Sequence, residues 1–392
     1  MCLLIFFVAA TIGRIASAQN FSVLKTFTGD DGSGPSGNLV LSGKTLYGTT
    51  TGGGSAGTGT IFKVNIDGTG FTVLKSFSVA TNEFDIDGVG HFLVNSDGGK
   101  PNGLVLSGNT LYGTTDTGGN SGDGTVFKIN TDGTGFTTLK VFTGSDGILP
   151  AASLTLSGNM LYGTTESGVF KVNTDGTGFA ILKNFPNDQL IGGLTLLDNT
   201  LYGMTRYGNS LNSNLIGPNG PEPGGDGTVF KINTDGTGFA VLENFSSNNS
   251  GINTPSGSLI HSGDMLYGTS GGGNFGQGAI FKTRTDGTFF VVLKSFTGGA
   301  GGGDPRAALT RLGYTLYGTT ISGGSANDGT VFRINLDGTG FIILKNFSGD
   351  DGRGPSAAIT LSGNTLYGAA ENGGSSGDGT IFRLELPPQQ QN

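Results

Sequence analysis

Residues 106–142 read LSGNTLYGTTDTGGNSGDGTVFKINTDGTGFTTLKVF. Four short β-prone runs alternate here with turn residues. Strand A is expected over 104–106, followed by the tight turn Ser107-Gly108-Asn109. Strand B follows over 110–115. A Gly-rich loop, 116–124, leads to strand C over 125–130. The turn Thr131-Asp132-Gly133-Thr134-Gly135 then feeds strand D over 136–142. Asp-Gly supplies the positive-φ residue that such hairpin turns require. No stretch carries a helical period.

The Leu-Tyr-Gly at the centre of this unit recurs throughout the chain, with tyrosines at Tyr47, Tyr112, Tyr162, Tyr202, Tyr267, Tyr317 and Tyr367. Four antiparallel strands in each of seven copies predict a β-propeller. The ends of the repeat agree. The last copy supplies strands A, B and C, ending over 380–386, and has no strand D. Residues 21–27, FSVLKTF, form a strand D with no A, B or C before it. Together the fragments make one blade. The expected fold is all-β: a seven-bladed β-propeller of four-stranded blades over 19–387, its ring closed by the N-terminal strand, with a polar tail at 388–392. A linear solenoid would need capping repeats at its ends.

Composition narrows the class further. Gly accounts for 76 of 392 residues, yet the apolar runs are periodic, which favours turn-rich β structure over disorder. Residues 1–18 read as a secretory signal peptide: an apolar run over 3–12, then Ala16-Ser17-Ala18. The run is too short for a bilayer, which needs about 20 apolar residues, and no membrane span is expected elsewhere. The single cysteine, Cys2, lies inside this leader, so the mature chain is expected to have no disulfide and no thiolate chemistry. A secreted or cell-surface monomer is the expectation. The net charge of −8 argues against nucleic acid.

The unit LxLSGxTLYGTTxxGGxxGxGTVFxxxxDGTGFxxLxxF resembles the GloVer-type tandem repeat of bacterial extracellular proteins described as choice-of-anchor. The resemblance covers essentially the whole mature chain. It implies an extracellular or surface β-propeller-like protein of uncharacterised function. The C-terminal residues, LPPQQQN, carry no anchor signal, so free secretion or truncation is expected.

A basic residue recurs at one place in strand C: Lys63, Lys128, Lys171, Lys231, Lys282, Arg333 and Arg383. Another recurs in strand D: Lys25, Lys75, Lys140, Lys183, Lys294 and Lys345, with Glu243 as the exception. Strand D is the outer edge of a blade, and charge there is expected to discourage edge-to-edge pairing.

Successive tyrosines are 65, 50, 40, 65, 50 and 50 residues apart. The variation falls in the D–A stretch 78–103 and the B–C loop 206–227, which are long, and in the B–C loop 166–168, which is short. D–A and B–C loops emerge on one face, the top, where variable loops on a rigid scaffold tend to carry function. Most acidic residues fall there too, against only Lys100, Arg206, Arg306 and Arg353.

Candidate binding residues on this face are Asp30, Asp31, Asp85, Asp87, Tyr207, Asp350 and Asp351. The pairs Asp30-Asp31 and Asp350-Asp351 sit in matching GDDGxGPS segments, which argues for a role in forming the loop. If they bind an ion, calcium is the natural choice. The segment from Glu83 to Gly88 only loosely matches a calcium loop, and residues 84–94 read better as an extra hairpin turning at Asp87-Gly88. The Gly-rich loops precede strands, so they cannot offer a helix N-terminus to phosphate. His91 and His261 occur in unrelated places, and no catalytic or metal constellation is evident. The recurring tyrosines are expected to pack the blades. The function expected is a non-catalytic binding or interaction module for a glycan or protein ligand, acting through the acidic loop face. Its competitors are a carbohydrate-active hydrolase or lyase using top-face carboxylates and a calcium-stabilised surface structural protein.

Overall fold

The computed structural model describes residues 20–84, 91–150, 152–186, 188–207, 216–217, 220–221, 226–245 and 252–387. They form seven antiparallel four-stranded blades. Blade 2 shows the pattern: Val105–Ser107, Thr110–Thr117, Thr125–Asn130 and Thr137–Val141 are its strands A to D. A further strand, Gly99–Pro101, pairs with the end of strand B. In blades 4 and 5 that extra piece is continuous with strand A, giving Leu190–Leu197 and Pro255–Ser262. Thr81–Phe84 and His91–Val94 pair as the expected extra hairpin. Its turn, with Asp85 and Asp87, lies outside the described residues, as do residues 1–19.

Phe21–Thr26 closes the ring. It pairs with Thr380–Glu385, in register from Phe21↔Leu384 to Thr26↔Thr380, and so supplies strand D of blade 7. Hydrogen bonds cross the seam at the inner end of the blades. Ala358 N–H donates to Asn38 Oδ1 at 3.0 Å and Thr360 Oγ1 to the Leu39 carbonyl at 2.6 Å.

The core lies between blades. Each of seven apolar clusters is shared by two consecutive blades, and one joins Phe27, Tyr367 and Ile381 of blade 7 to Leu39, Leu46 and Phe62 of blade 1. A ring packed at every interface, including the one at its seam, has no unsealed end.

The Leu-Tyr-Gly motif serves these interfaces. All seven tyrosines are buried. Tyr47 of blade 1 packs with Leu111, Phe127 and Ile129 of blade 2. The glycine makes room for the strand C phenylalanine: a Cβ on Gly113 would fall 2.6 Å from Phe127 Cζ, and the other six glycines meet their phenylalanines at 2.4–2.5 Å.

The strand D lysines are placed differently from the expectation. They do not stand guard on an open edge but lean into the next blade. Lys75 Nζ lies 4.7 Å from the centre of the Phe136 ring and 2.5 Å from Asp97 Oδ2. Lys25 with Asp31, Lys140 with Asp146 and Lys345 with Asp351 repeat the arrangement. The carboxylate also accepts from the backbone: Thr28 N–H donates to Asp31 Oδ1 at 3.0 Å. The physical reason is the aromatic wedge at each interface. Phe77 of one blade meets Phe127 and Phe136 of the next, with ring centres 5.6 and 5.9 Å apart, and a cation over the ring face gains roughly 0.5–2 kcal/mol.

Candidate functional site

The segments that enter strand A converge on the ring axis at the top. They enclose a cavity of about 120 Å³ lined by all seven blades, among them Asn38, Asn102, Ser153, Gly193, Ser258, Ala308 and Ser356. Space on this scale accommodates a few waters or one small chemical group. Close approach keeps the neck residues small. A Cβ on Gly192 would fall 1.8 Å from the Gly257 carbonyl oxygen, and one on Gly103 would fall 2.0 Å from Ser153 Oγ.

One residue per blade comes directly after the six-residue Leu-Tyr-Gly stretch of strand B: Thr51, Asp116, Glu166, Arg206, Gly271, Ile321 and Glu371. Several are tied to the lining. Asn102 Nδ2 donates to Asp116 Oδ1 at 2.6 Å and to the Pro150 carbonyl at 2.7 Å. Ser356 Oγ donates to Glu371 Oε1 at 2.5 Å. Gln189 bridges two blades: its Nε2 donates to Glu166 Oε1 at 3.0 Å, and its Oε1 accepts from Arg206 Nη1 at 3.4 Å. Arg306 lines the cavity and pairs with Asp304 at 2.8 Å. Polar pairs from several blades therefore stand around and beside a small well that one arginine lines.

Two carboxyls in these segments depart from ordinary behaviour. Burial pushes Asp116 up, and the hydrogen bond from Asn102 and the charge of Lys100 offset it only in part. Burial pushes Asp188 up to about 6, opposed by a hydrogen bond with Thr205. Asp188 Oδ1 is buried with no hydrogen-bond partner. Perturbed carboxyls in a cleft mark functional sites often enough to point here.

Residues with positive φ recur in the segments that enter strand A. Lys100, Leu149, Thr254 and Asp304 all have positive φ, and each precedes a proline. Gly34 and Gly354 occupy the equivalent positions. Each of the six donates its N–H to the B–C loop of the preceding blade, as Lys100 does to the Thr58 carbonyl at 2.8 Å. A feature repeated in six blades belongs to the scaffold.

The residues singled out in the sequence are not gathered into one site. Asp31 and Asp351 are engaged by Lys25 and Lys345, while Asp30 and Asp350 beside them are exposed. They lie in loops entering different blades. Tyr207 stands on blade 4, where its carbonyl accepts from Thr205 Oγ1 at 2.8 Å and Arg206 lies 5.8 Å from its ring. Among the described residues, no three His, Cys, Asp or Glu side chains come together as metal ligands. His261 lies in strand A of blade 5. Asp116, Glu371, Asn102 and Asp188 were not anticipated as site residues. A signal for the first two was available: the sequence begins to vary from copy to copy directly after the repeated LYGTT stretch.

Residues 87–217 and 218–392 match the Gloeobacter/Verrucomicrobia repeat, and the chain belongs to that family. Among solved structures, the extracellular domain of the putative one-component system BT4673 from B. thetaiotaomicron is similar, with a TM-score of 0.59 at 11% identity. That match covers 95% of this chain and 41% of the other. Oligogalacturonate lyase in complex with manganese is similar with a TM-score of 0.55 at 12% identity, covering 95% of this chain and 94% of the other. At such identities the likeness is one of fold. No curated protein matches the chain.

Proposed function

We propose that this chain is an exported propeller that binds a polar, hydroxyl-rich ligand, a glycan above all, at the mouth of its ring axis, without transforming it. One observation carries this reading. The position directly after the Leu-Tyr-Gly stretch of strand B holds Thr51, Asp116, Glu166, Arg206, Gly271, Ile321 and Glu371 in turn, on a scaffold whose packing residues repeat. Unlike side chains, five of the seven polar, on otherwise repeated struts are what selection for a ligand leaves on a rigid support. Carboxylates, amides and guanidinium groups suit sugar hydroxyls as acceptors and donors. Export is supported by the leader-like residues 1–18 and by the confinement of the single cysteine to them.

A glycan-array screen of the wild-type protein, with and without chelator, tests the reading. Hits weakened at least tenfold by Asp116→Asn and by Glu371→Gln support it. Hits indifferent to both changes refute the axial site. Loss of hits with chelator brings calcium into the site. A glycan recovered shortened would replace binding with hydrolysis or lyase chemistry, for which Asp116, a carboxyl pushed up by burial, has the character of an acid.

A further inference from the structure

The lysine–aspartate contact between blades is complete at four of the seven interfaces; after blade 4 Glu243 replaces the lysine, after blade 3 Lys183 has no ion pair among the described residues, and after blade 5 both carboxyl positions are lost. At the interface after blade 2, Lys140 pairs with Asp146, and a second carboxyl, Asp123, lies close enough to Asp146 to be pushed up by it as well as by burial. At the interface after blade 5 the lysine remains and both carboxyls are gone. Lys294 Nζ lies 4.7 Å from the centre of the Phe341 ring, as its counterparts lie over theirs. The place of Asp146 is taken by Gly301, just before Gly302, whose Cβ would meet Thr320 as one on Gly147 would meet Thr165. The place of Asp123 is taken by Gln277. Its carbonyl accepts from Asp304 N–H at 2.7 Å, as that of Asp123 accepts from Leu149 N–H at 3.1 Å. The Gln277 side chain lies against Gly298 and Gly303, beside the vacated position. Among the described residues, Lys294 has no carboxylate partner.

The same loop carries a second departure. Phe275, two residues before Gln277, is 61% exposed; the corresponding loops have Ala56, Ser121, Ala326 and Ser376 there. An ammonium without its counter-ion, a side-chain amide and an exposed aromatic face thus share one corner of the top face.

We propose that this corner, remote from the axis, binds a sugar that carries a carboxylate. The carboxylate takes the place that Asp146 fills beside Lys140 and accepts from Lys294 Nζ. Gln277 donates to a ring hydroxyl, and the apolar face of the sugar stacks on Phe275. Charge-assisted hydrogen bonds and ring stacking are the two contributions available. The site stands independently of the axial one.

The test is titration of the full chain with glucuronate, acetate and glucose at equal ionic strength, followed by calorimetry. Glucuronate is expected to bind with a Kd on the order of 1 mM, acetate about tenfold more weakly, and glucose not measurably. Gly301→Asp supplies the missing carboxylate from within. A Cβ there meets only Thr297 Oγ1, at 3.4 Å, so the aspartate is sterically admissible. This variant is expected to melt higher than the wild type and to lose glucuronate binding, as is Lys294→Gln. Phe275→Ala is expected to bring glucuronate down to the level of acetate. Asp116→Asn leaves this binding unchanged, which separates it from the axial site. Glucuronate binding that survives Gly301→Asp, an acetate affinity equal to that of glucuronate, glucose binding as well as glucuronate, or no glucuronate binding at all would each overturn the proposal.

Discussion

The glycine of Leu-Tyr-Gly offers the sharpest test of how the ring is built. In blade 2, a Cβ on Gly113 would lie 2.6 Å from Phe127 Cζ, 3.0 Å from Leu104 Cδ2 and 3.1 Å from Phe127 Cε1. Carbon atoms are comfortable at about 3.5–4.0 Å, so the ring would have to retreat by about 1 Å. It has nowhere to go. Phe127 is fully buried and packs against Phe77 and Phe136, each ring centre 5.6 Å from its own. Gly113 is not among the glycines with positive φ, so the cost of Gly113→Ala is steric and not conformational. Overpacking of a tight core costs about 1–3 kcal/mol, and the upper end applies where two rings back the one displaced. For a chain of this length, about 3 kcal/mol lowers Tm by roughly 4 °C. The control is Gly108→Asp in the A–B turn. Gly108 has φ 56° with nothing within 4 Å of its Cβ, and Asp198 already stands at the same place in blade 4 with φ 53°. That change should cost under about 1 kcal/mol, since aspartate tolerates the left-handed region. Equilibrium denaturation of the three proteins, followed by circular dichroism, decides. A Gly113→Ala protein as stable as the wild type, or less damaged than Gly108→Asp, would refute the steric account.

Two further outcomes concern the charged contacts. Lys75→Met should cost about 2 kcal/mol, because it leaves the buried Asp97 carboxylate with only Ser78 as donor; a double-mutant cycle with Asp97→Asn should return a coupling of about 1 kcal/mol, and zero coupling would reduce the contact to coincidence. Asp188 is held up at about 6 from its ordinary 3.8, so the folded state favours its protonated form. Its contribution to stability is full below pH 4 and is lost as pH rises through 6. Asp188→Asn should therefore stabilise the protein at pH 7.5, by about 1–2 kcal/mol after allowance for solvent screening, and change little at pH 4. Equal gains at both pH values, measured by thermal melts, would contradict the linkage.

Blade boundaries were legible in the sequence because turns are local chemistry. Ser-Gly-Asn and Asp-Gly-Thr-Gly mark the A–B and C–D corners within a few residues, and strands B and C in blade 2 begin where expected, at Thr110 and Thr125. Ring closure was legible because a missing strand at one end matched a spare strand at the other. The partners of the strand D lysines were not. Lys25 reaches Phe71, and Lys75 reaches Phe136, in blades not yet formed when strand D is read. The period locates each lysine on its own strand but does not say which neighbour it faces. The mouth of the axis was half legible: the column after LYGTT varies in plain view, but loop length drew the reading outward to insertions whose tips lie beyond the described residues.

Repetition also changes what counts as a clue. In a single-copy fold, four non-glycine residues with positive φ around one cavity would be read as a strained active site. Here the same conformation recurs at Gly34 and Gly354, with the same backbone hydrogen bond to the preceding blade. Seven copies within one chain act as their own control. A feature shared by the copies holds the ring together, and a feature that breaks the pattern has escaped that duty. By this measure Asp31 and Asp351, which looked most like ligands, are scaffold, because Asp97 and Asp146 do the same work. Lys294 looked most like scaffold, yet among the described residues its interface keeps the cation and has lost both acids. The loss leaves a part-buried ammonium without a carboxylate, and that asymmetry directs attention to blade 5 as much as to the axis.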